Sequence, residues 1–248
     1  MCHGDDARPP EPPVSGPLGA HGDLTLTSAD GTEVMAYAAL PEQPGATGVV
    51  ILPDVRGLHQ YYKDLADGFA RAGFSTIAID YFGRTAGSGA RDEAFAYRPH
   101  VEQTTPDTVD ADVAAAITYL HSPAGGAATR IFTVGFCFGG STSWRQAASQ
   151  EGLAGAVGFY GQPGRARAYI GEMRAPLLLL VAGDDFTPQE EFQAFDQELT
   201  AAGVPHHMVV YPGAPHSFFD RSFAEHRAAC ADAWRQMLAF FAHPPLSS

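Results

Sequence analysis

Between positions 130 and 140 the chain reads Arg130-Ile131-Phe132-Thr133-Val134-Gly135-Phe136-Cys137-Phe138-Gly139-Gly140. The first half is a continuous apolar run, which is typical of a strand buried on both faces of a parallel sheet. Glycines stand two residues before and two residues after Cys137, and a nucleophile on a sharp strand-to-helix turn needs small residues at those positions. The spacing is not G-x-G-x-x-G, which excludes a dinucleotide-binding turn. The stretch therefore predicts a strand, a tight turn that presents Cys137, and a helix.

Apolar runs of the same type recur on both sides of this stretch. Segments with helical spacing alternate with the runs, which predicts an α/β fold with a doubly wound, mostly parallel sheet and helices on both faces. At 23–27 and 33–40 apolar and polar residues alternate instead, which predicts an edge hairpin. The predicted buried strands are 48–53, 75–79, 130–135, 153–159, 176–182 and 207–211, and the predicted helices are 61–72, 106–120, 140–150, 188–202 and 222–241.

The composition indicates a single globular domain. The 248 residues are 45% hydrophobic and 17% charged, which excludes a disordered, collagen-like or coiled-coil chain. Residues 1–22 are rich in proline and glycine, so we predict an N-terminal arm there and one domain over 23–248. The long irregular stretch at 83–105 is interpreted either as a lid or pocket wall, or as a disordered surface loop.

Charge and cysteine content limit the partners and the compartment. A net charge of −13 repels phosphate backbones and anionic lipids, which argues against nucleic acid and membrane surfaces as partners. The three cysteines, Cys2, Cys137 and Cys230, are too few and odd in number for a disulfide framework, and no signal-peptide pattern precedes them. We therefore expect a cytoplasmic monomer or homodimer that acts on a small molecule. The histidines lack metal-ligand spacing, so neither a metal nor another cofactor is expected.

Two later segments supply candidate partners for Cys137. Asp184 follows one predicted strand, and His216 lies in the loop before the last predicted helix. Nucleophile, acid and histidine in this order, each at a strand end, are typical of an α/β-hydrolase sheet. We expect His216 to accept the Cys137 proton, Asp184 to fix the histidine tautomer, and the thiolate to attack an acyl carbon.

Each of these residues also has an ordinary structural interpretation. Cys137 fits a buried, inert cysteine in a glycine turn, and His216 fits a surface loop histidine. Asp184 fits a helix N-cap, a role that Asp185 or Thr187 also fits. The order and placement of all three favour the catalytic interpretation.

From about position 23 onward the chain resembles the dienelactone hydrolase (carboxymethylenebutenolidase) family of the α/β-hydrolase fold. The turn around Cys137 carries the resemblance together with Gly183-Asp184, Pro188 and Ala214-Pro215-His216-Ser217-Phe218. A cysteine at the turn, where most relatives of this fold have serine, makes the match more specific. The resemblance implies that Cys137, Asp184 and His216 form a catalytic triad.

The resemblance also implies residues beside the nucleophile. In the family an acid after the first long parallel strand holds the resting thiol, and Asp54 stands there in place of the usual glutamate. The backbone amide that follows this acid helps to form the oxyanion hole, which implies Val55 and Phe138 as donors. A solvated strand-end acid is the alternative interpretation of Asp54.

Candidate substrate-binding residues are of two kinds. The family binds a substrate carboxylate with arginines, which implies Arg84, although a solvated surface arginine fits the sequence equally well. The position of a second arginine, four residues after the histidine, holds Asp220 here, and Arg221 comes next. Phe136 and His59 are further candidates for the pocket wall, with core packing and a helix start as their alternatives.

The sequence thus predicts a cysteine-dependent hydrolase of lactones or small carboxylic esters that acts through a thioester acyl-enzyme. Two alternatives remain open. One is a promiscuous acyl-ester hydrolase without dienelactone activity, which the missing second arginine favours. The other is a non-catalytic small-molecule binding protein on the same fold.

Overall fold

The computed structural model describes residues 4–245, and its strands form one eight-stranded sheet. The strands are β1 (Leu18–Thr27), β2 (Glu33–Pro41), β3 (Thr47–Leu52), β4 (Ser75–Ile79), β5 (Arg130–Phe136), β6 (Gly155–Phe159), β7 (Leu177–Asp184) and β8 (His206–Pro215). Their order across the sheet is β1-β2-β4-β3-β5-β6-β7-β8. β2 pairs with β1 and β4 in antiparallel fashion, and every pair from β4 to β8 is parallel.

Helices cover both faces of this sheet. They are α1 (Gln60–Arg71), α2 (Gly83–Ala86), α3 (Arg98–Gln103), α4 (Pro106–His121), α5 (Phe138–Ser149), α6 (Gln189–Ala201) and α7 (Arg227–Ala242). Buried residues of α1 and α7 belong to one hydrophobic core, and those of α4, α5 and α6 belong to the other. None of the helices between residues 4 and 245 is long and apolar enough to cross a membrane.

The side chains of β3 show why the central strands are apolar throughout. Val49 and Ile51 pack into the core under α1 and α7, and Val50 and Leu52 pack into the core on the other face. All four are completely buried. Because successive residues of a strand point to opposite faces, a sheet covered on both sides needs apolar residues at every position. The predicted α/β fold with helices on both faces is confirmed.

The predicted elements differ from the observed ones mainly at their ends. β4 is observed as predicted, whereas α5 begins at Phe138 and α7 begins at Arg227, after a short 3₁₀ turn at Ala224–His226. β1 begins at Leu18, inside the segment predicted as an arm. The strand extends further because its backbone pairs with β2 as far as Pro41, a pairing that side-chain alternation does not reveal.

The N-terminal arm lies on the surface of the domain. Its described part packs Ala7 into the core, and the Trp234 indole donates a hydrogen bond to Pro10 O at 3.0 Å. The backbone N–H of Arg8 donates to Asp220 Oδ1 at 3.1 Å. The arm is therefore bound to α7 and to the loop that follows His216.

The stretch at 83–105 is an ordered wall that contains α2 and α3. Arg91 forms a buried ion pair with Asp80 at 2.7 Å, and the Phe95 ring stacks on His100 with centroids 5.2 Å apart. Thr104 lines a cavity beside the nucleophile turn. These contacts favour the interpretation of this stretch as a pocket wall over that of a disordered loop.

Candidate active site

The predicted site residues lie on loops at one edge of the sheet. Asp54 follows β3, Cys137 follows β5, and the acidic pair Asp184-Asp185 and His216 come at the ends of β7 and β8. These four strands are parallel to one another. Their carboxyl ends therefore meet at the same edge, where α/β sheets build their sites.

Cys137 stands on a strained turn between β5 and α5. Its backbone has φ 56° and ψ −113°, a left-handed conformation that a non-glycine residue adopts only when its surroundings enforce it. A Cβ on Gly135 would collide with the carbonyl oxygen of Gly139, and a Cβ on Gly139 would collide with that of Leu52. The two glycines thus allow the tight turn, and the turn holds Cys137 at the N-terminus of α5.

His216 lies between an acid and the nucleophile. Its Nδ1 is 2.8 Å from Asp185 Oδ2, and the side chain of Asp185 is fully buried. The imidazole also forms a hydrogen bond with Cys137. Since Nδ1 is engaged by the carboxylate, Nε2 is the nitrogen that serves Cys137.

The acid beside His216 is Asp185, so the predicted contact with Asp184 is wrong. Asp184 is the exposed last residue of β7, opposite Pro215. Adjacent residues at a strand end point in different directions, so only one of the two aspartates faces the histidine. The other carboxylate oxygen of Asp185 accepts the N–H of Thr187 at 3.1 Å, which fixes the side chain that holds His216.

The environment of His216 favours its protonated form. Burial alone would lower the pKa of His216, but the hydrogen bonds to Asp185 and Cys137 and the charges of these two groups raise it to about 9. An imidazolium is therefore stable at neutral pH. Its charge in turn favours the thiolate of Cys137, the form that acts as a nucleophile.

Two aromatic rings that the sequence did not single out hold the imidazole. The ring centroids of Tyr160 and Phe186 lie 4.8 Å and 4.3 Å from that of His216. Tyr160 is buried and has φ 37°, whereas Phe186 is 64% exposed. A large exposed aromatic residue directly after Asp185 is a signal of a pocket rim that the sequence already contained.

The predicted oxyanion donors lie on adjoining segments. A Cβ on Gly139 would also collide with Pro53 O, so the end of β3 touches the first turn of α5. Phe138 begins α5, and its amide is among those that have no acceptor within a helix. Val55 follows Asp54, whose Oδ1 accepts the N–H of Arg56 at 2.8 Å. Both segments are thus held in place beside Cys137.

Asp54 is buried within this loop rather than solvated. Its backbone N–H donates to Tyr62 Oη at 3.0 Å, and its Oδ2 is buried without a hydrogen-bond partner among the residues that the structure describes. The hydroxyl of Tyr81 donates to Pro53 O at 2.9 Å. Burial, with the charges of Asp54, Asp80 and Cys137, raises the pKa of Tyr81 well above its usual range. Tyr81 thus bonds to the residue before Asp54 and packs on Phe138, the residue after Cys137, with ring centroids 5.5 Å apart.

Comparison with known proteins identifies the family. Residues 34–244 match the model of the dienelactone hydrolase family. The chain belongs to the dienelactone hydrolase family. Membership makes it a hydrolase of the lactone and ester type.

Relatives and solved structures support this assignment over most of the chain. A provisionally assigned carboxymethylenebutenolidase of Salmonella typhi is 31% identical over 235 residues, which cover 88% of this chain and 86% of the relative. A provisionally assigned 2-oxo-3-(5-oxofuran-2-ylidene)propanoate lactonase of Bradyrhizobium is 27% identical, and the match covers 88% of this chain and 92% of the relative. The crystal structure of a provisionally assigned dienelactone hydrolase from Klebsiella pneumoniae superposes with a TM-score of 0.80 at 28% identity, covering 91% of this chain and 99% of the other.

In this member of the dienelactone hydrolase family, Arg84 is not available to a substrate. Its guanidinium binds Asp112 and Asp30, both at 2.5 Å, and Nη1 also donates to Thr32 at 2.9 Å. The prediction of Arg84 as a substrate-binding residue is therefore wrong. The cause is the pair of acids from α4 and the β1–β2 turn, which use the donors that a carboxylate would need.

Phe136 and His59 are also structural residues. Phe136 is completely buried, and its ring stacks on Phe159 with centroids 4.7 Å apart. His59 caps α1, with Nδ1 accepting the N–H of Tyr61 at 3.1 Å, and its Nε2 lies 2.9 Å from Asp5 of the arm. The alternatives stated from the sequence, core packing for Phe136 and a helix start for His59, are the ones observed.

Two cavities are lined by residues that adjoin the nucleophile or the histidine. One, of about 250 Å³, is lined by Phe138 and Arg165 among others. The second, of about 440 Å³, is lined by Arg165 and by Phe186, whose ring lies against His216. A larger cavity of about 660 Å³ is lined by His59 and Arg91. None of these three cavities has Cys137, Asp185 or His216 among its described lining residues.

The remaining predictions concern metal binding and the other two cysteines. Within residues 4–245 no group of three or more His, Cys, Asp or Glu side chains is placed to hold a metal ion. Cys230 is buried, and its Sγ donates to Phe218 O at 3.2 Å. Cys2 lies outside the described residues.

Proposed function

We propose that this chain hydrolyses lactones or small carboxylic esters through a thioester on Cys137, with His216 as the acid–base group and Asp185 as its partner. The observation that carries the proposal is the 2.8 Å contact between His216 Nδ1 and Asp185 Oδ2, combined with the hydrogen bond from His216 to Cys137. A nucleophile, a base and an orienting carboxylate in one chain of hydrogen bonds are what nucleophilic acyl transfer requires.

Acylation begins from the thiolate and the imidazolium. The sulfur of Cys137 attacks the acyl carbon, a C–S bond forms, and the carbonyl electron pair moves to oxygen. When this tetrahedral intermediate collapses, the bond to the leaving oxygen breaks. His216 gives its proton to that oxygen, so an ester releases an alcohol and a lactone opens into an acyl chain that ends in a hydroxyl or enol.

Deacylation returns the enzyme to its starting state. The neutral imidazole of His216 takes a proton from water, and the oxygen of that water attacks the thioester carbon. Collapse breaks the C–S bond, releases the carboxylic acid and leaves the thiolate beside the imidazolium. Asp185 stabilises the imidazolium at the start and end of this cycle and keeps Nε2 directed at Cys137.

The amides of Val55 and Phe138 are the proposed donors to the oxyanion in both steps. The Phe138 amide stands at the N-terminus of α5, where the helix dipole adds to the stabilisation of negative charge. Loss of one such donor generally lowers turnover ~10²-fold or more. The tight turn therefore contributes to the rate by placing the Phe138 amide as well as the thiol.

Asp54 is the proposed acceptor of the Cys137 S–H in the neutral thiol–imidazole form of the pair, before the proton passes to His216 and the thiolate forms. Its buried Oδ2 has no hydrogen-bond donor within the described chain, and an unsatisfied buried acceptor is costly unless it has a function. Aspartate is shorter than the glutamate usual in the family. The proposed contact between Asp54 and the thiol rests on the burial of Asp54 and on Tyr81, which bonds to Pro53 and packs on Phe138.

A hydrolase of neutral esters is the second candidate. It is favoured by the engagement of Arg84 in two ion pairs and by an aspartate, Asp220, at the position of the family's second arginine. Asp220 accepts the N–H of Arg8, and a carboxylate has no donor to offer a substrate carboxylate. The Bradyrhizobium relative, by its name, acts on a lactone that carries a propanoate group. A carboxylate-bearing lactone is therefore the substrate class to compare with neutral esters.

We also propose that the protein works in a reducing compartment such as the cytoplasm. A thiolate nucleophile is lost when it is oxidised to sulfinic or sulfonic acid. The lack of a disulfide framework in a chain with three cysteines supports the same compartment.

A hydrolysis panel tests the proposal. Wild type and Cys137→Ala are assayed on p-nitrophenyl acetate and on dienelactone, with Cys230→Ala as the matched control because that thiol is buried and bonded to a backbone carbonyl. We expect wild type and Cys230→Ala to turn over at least one substrate, and Cys137→Ala to lose ~10⁴-fold or more in kcat. Equal hydrolysis by all three proteins, or none by the wild type, would contradict the proposal.

A further inference from the structure

The cavity beside Phe138 differs in charge from the rest of the molecule. The chain carries a net charge of −13, yet none of the described residues that line this cavity is Asp or Glu, and two of them are Arg145 and Arg165. Ser141 and Thr142 are among the hydroxyl-bearing residues that line it. A basic cavity in an acidic protein, one residue from the nucleophile, is a place where an anion is attracted.

Only one of the two arginines is available to an anion. Arg145 is 5% exposed, and its Nη1 forms an ion pair with Asp110 at 2.6 Å, so its charge is already balanced. Arg165 is exposed and uses Nε for a hydrogen bond to Gln162 Oε1 at 3.1 Å. Within residues 4–245 its side chain forms no ion pair. Its two Nη groups are charged donors for which no hydrogen bond is found within the described chain.

Arg165 lies close to one side chain that adjoins Cys137 and to another that packs on His216. Its guanidinium lies over the Phe138 ring, 5.3 Å from the centroid, and Phe138 follows Cys137 directly. Arg165 also lines the second cavity together with Phe186, the ring that packs on His216. Glu191 contributes a carboxylate to that second cavity, which directs an anion toward the Phe138 side.

We propose that Arg165, on the loop after β6, is the residue that binds the carboxylate of an anionic lactone or ester substrate. The inference rests on the proposed function for the reaction, but it assigns the anchor to a residue distinct from Arg84. An arginine is always charged, and its planar fork matches a carboxylate in two-point contact. Stacking on Phe138 limits the motion of the guanidinium, so less entropy is lost when the substrate binds.

The first test is a selectivity ratio. kcat/KM is measured for p-nitrophenyl hydrogen succinate and for the uncharged p-nitrophenyl pentanoate, which is similar in length. We expect the ratio of the charged to the neutral substrate to fall about tenfold in Arg165→Gln, mainly through KM, and to be partly retained in Arg165→Lys. The control is Arg167→Gln, two residues away and paired with Glu198, which should leave the ratio unchanged. An unchanged ratio in Arg165→Gln, or the same fall in Arg167→Gln, overturns the proposal.

The second test does not depend on turnover. Isothermal titration calorimetry compares benzoate with benzamide, which share a shape and differ in charge, on wild type and Arg165→Gln. We expect Arg165→Gln to weaken benzoate binding about tenfold relative to benzamide binding. If wild type binds no benzoate, or if the substitution weakens both probes equally, Arg165 is not the anchor. If benzoate binding depends on Arg165 but no ester is hydrolysed, the proposed function fails and the anchor stands.

Discussion

The turn at Cys137 is shaped by close neighbours in the chain, whereas the segment around Arg84 is held by side chains from distant parts of it. Gly135 and Gly139 stand four positions apart, and their missing Cβ atoms make the turn possible. Arg84 binds Asp112, 28 residues away, and Asp30, 54 residues away. The two glycines beside Cys137 thus bring it into the site, Gly135 by admitting the Gly139 carbonyl and Gly139 by admitting the end of β3. Long-range ion pairs keep Arg84 out of it.

Cys137 and Arg84 differ in whether their bonding groups are already used by other residues of the protein. The sulfur of Cys137 lies at a helix N-terminus beside an imidazole that can take up and return a proton. Arg84 has already given its donors to two carboxylates and a hydroxyl. A residue type that suits a reaction contributes to it only where the fold leaves its bonding groups open to a substrate.

The largest expected effect concerns the two adjacent aspartates. Asp185→Asn should lower kcat about 10³-fold to 10⁴-fold, because the amide no longer stabilises the imidazolium or selects the tautomer that serves Cys137. Asp184→Asn is the matched control, since that side chain is exposed, and it should stay within about twofold of wild type. The measurement is kcat of both variants on one ester. If Asp184→Asn lowers kcat more than Asp185→Asn does, Asp184 is the triad acid.

The next effect is a loss of stability when the turn at Cys137 is altered. Gly139→Ala should destabilise the fold by about 3 kcal/mol or more, because its Cβ would meet the backbone carbonyls of Leu52 and Pro53, which cannot move aside as a side chain can. Gly171→Ala, where a Cβ would meet nothing within 4 Å, should change the free energy of unfolding by less than about 0.5 kcal/mol. Urea unfolding of both variants measures this difference. Equal stabilities would mean that the turn relaxes easily.

A smaller effect is expected at Arg84. Burial raises the pKa of Asp112 even with Arg84 beside it, so Arg84→Gln leaves a buried carboxyl without its counter-charge and should lower the free energy of unfolding by about 2 kcal/mol. KM for carboxylate-bearing esters should change by less than about twofold. If Arg84→Gln instead raises KM for these esters alone and leaves the free energy of unfolding unchanged, Arg84 is a substrate-binding residue.

The smallest effect is a dependence on pH. Because the pKa of His216 is raised from 6.5 to about 9, its protonated form stabilises the folded state fully below 6.5, and this contribution is lost as the pH rises through about 9. Since the same proton is needed by the leaving group, kcat/KM should fall above pH 9 in wild type. In Asp185→Asn the fall should begin at lower pH. If the pH profile of kcat/KM is the same in Asp185→Asn as in wild type, the group that titrates is not His216 paired with Asp185.

These cases also show which features a sequence can predict. The central strands and Cys137 were predictable because burial on both faces and a glycine-flanked turn leave local patterns in the sequence. The choice between Asp184 and Asp185 was not, since it depends on which of two neighbouring residues ends the strand. The roles of Arg84, His59 and Arg165 depend on Asp30, Asp112, Asp5 and Phe138, which meet them only in the folded chain.

Trapping the acyl group during turnover shows directly whether Cys137 carries it. The enzyme is quenched in acid during turnover of p-nitrophenyl acetate, digested, and the acylated peptide is identified by mass spectrometry. The account predicts one acetyl group on Cys137 and none on Cys230, because burial raises the pKa of that thiol to about 11. An acetyl group on Cys230 or Ser141, or turnover with Cys137 never acylated, would contradict it.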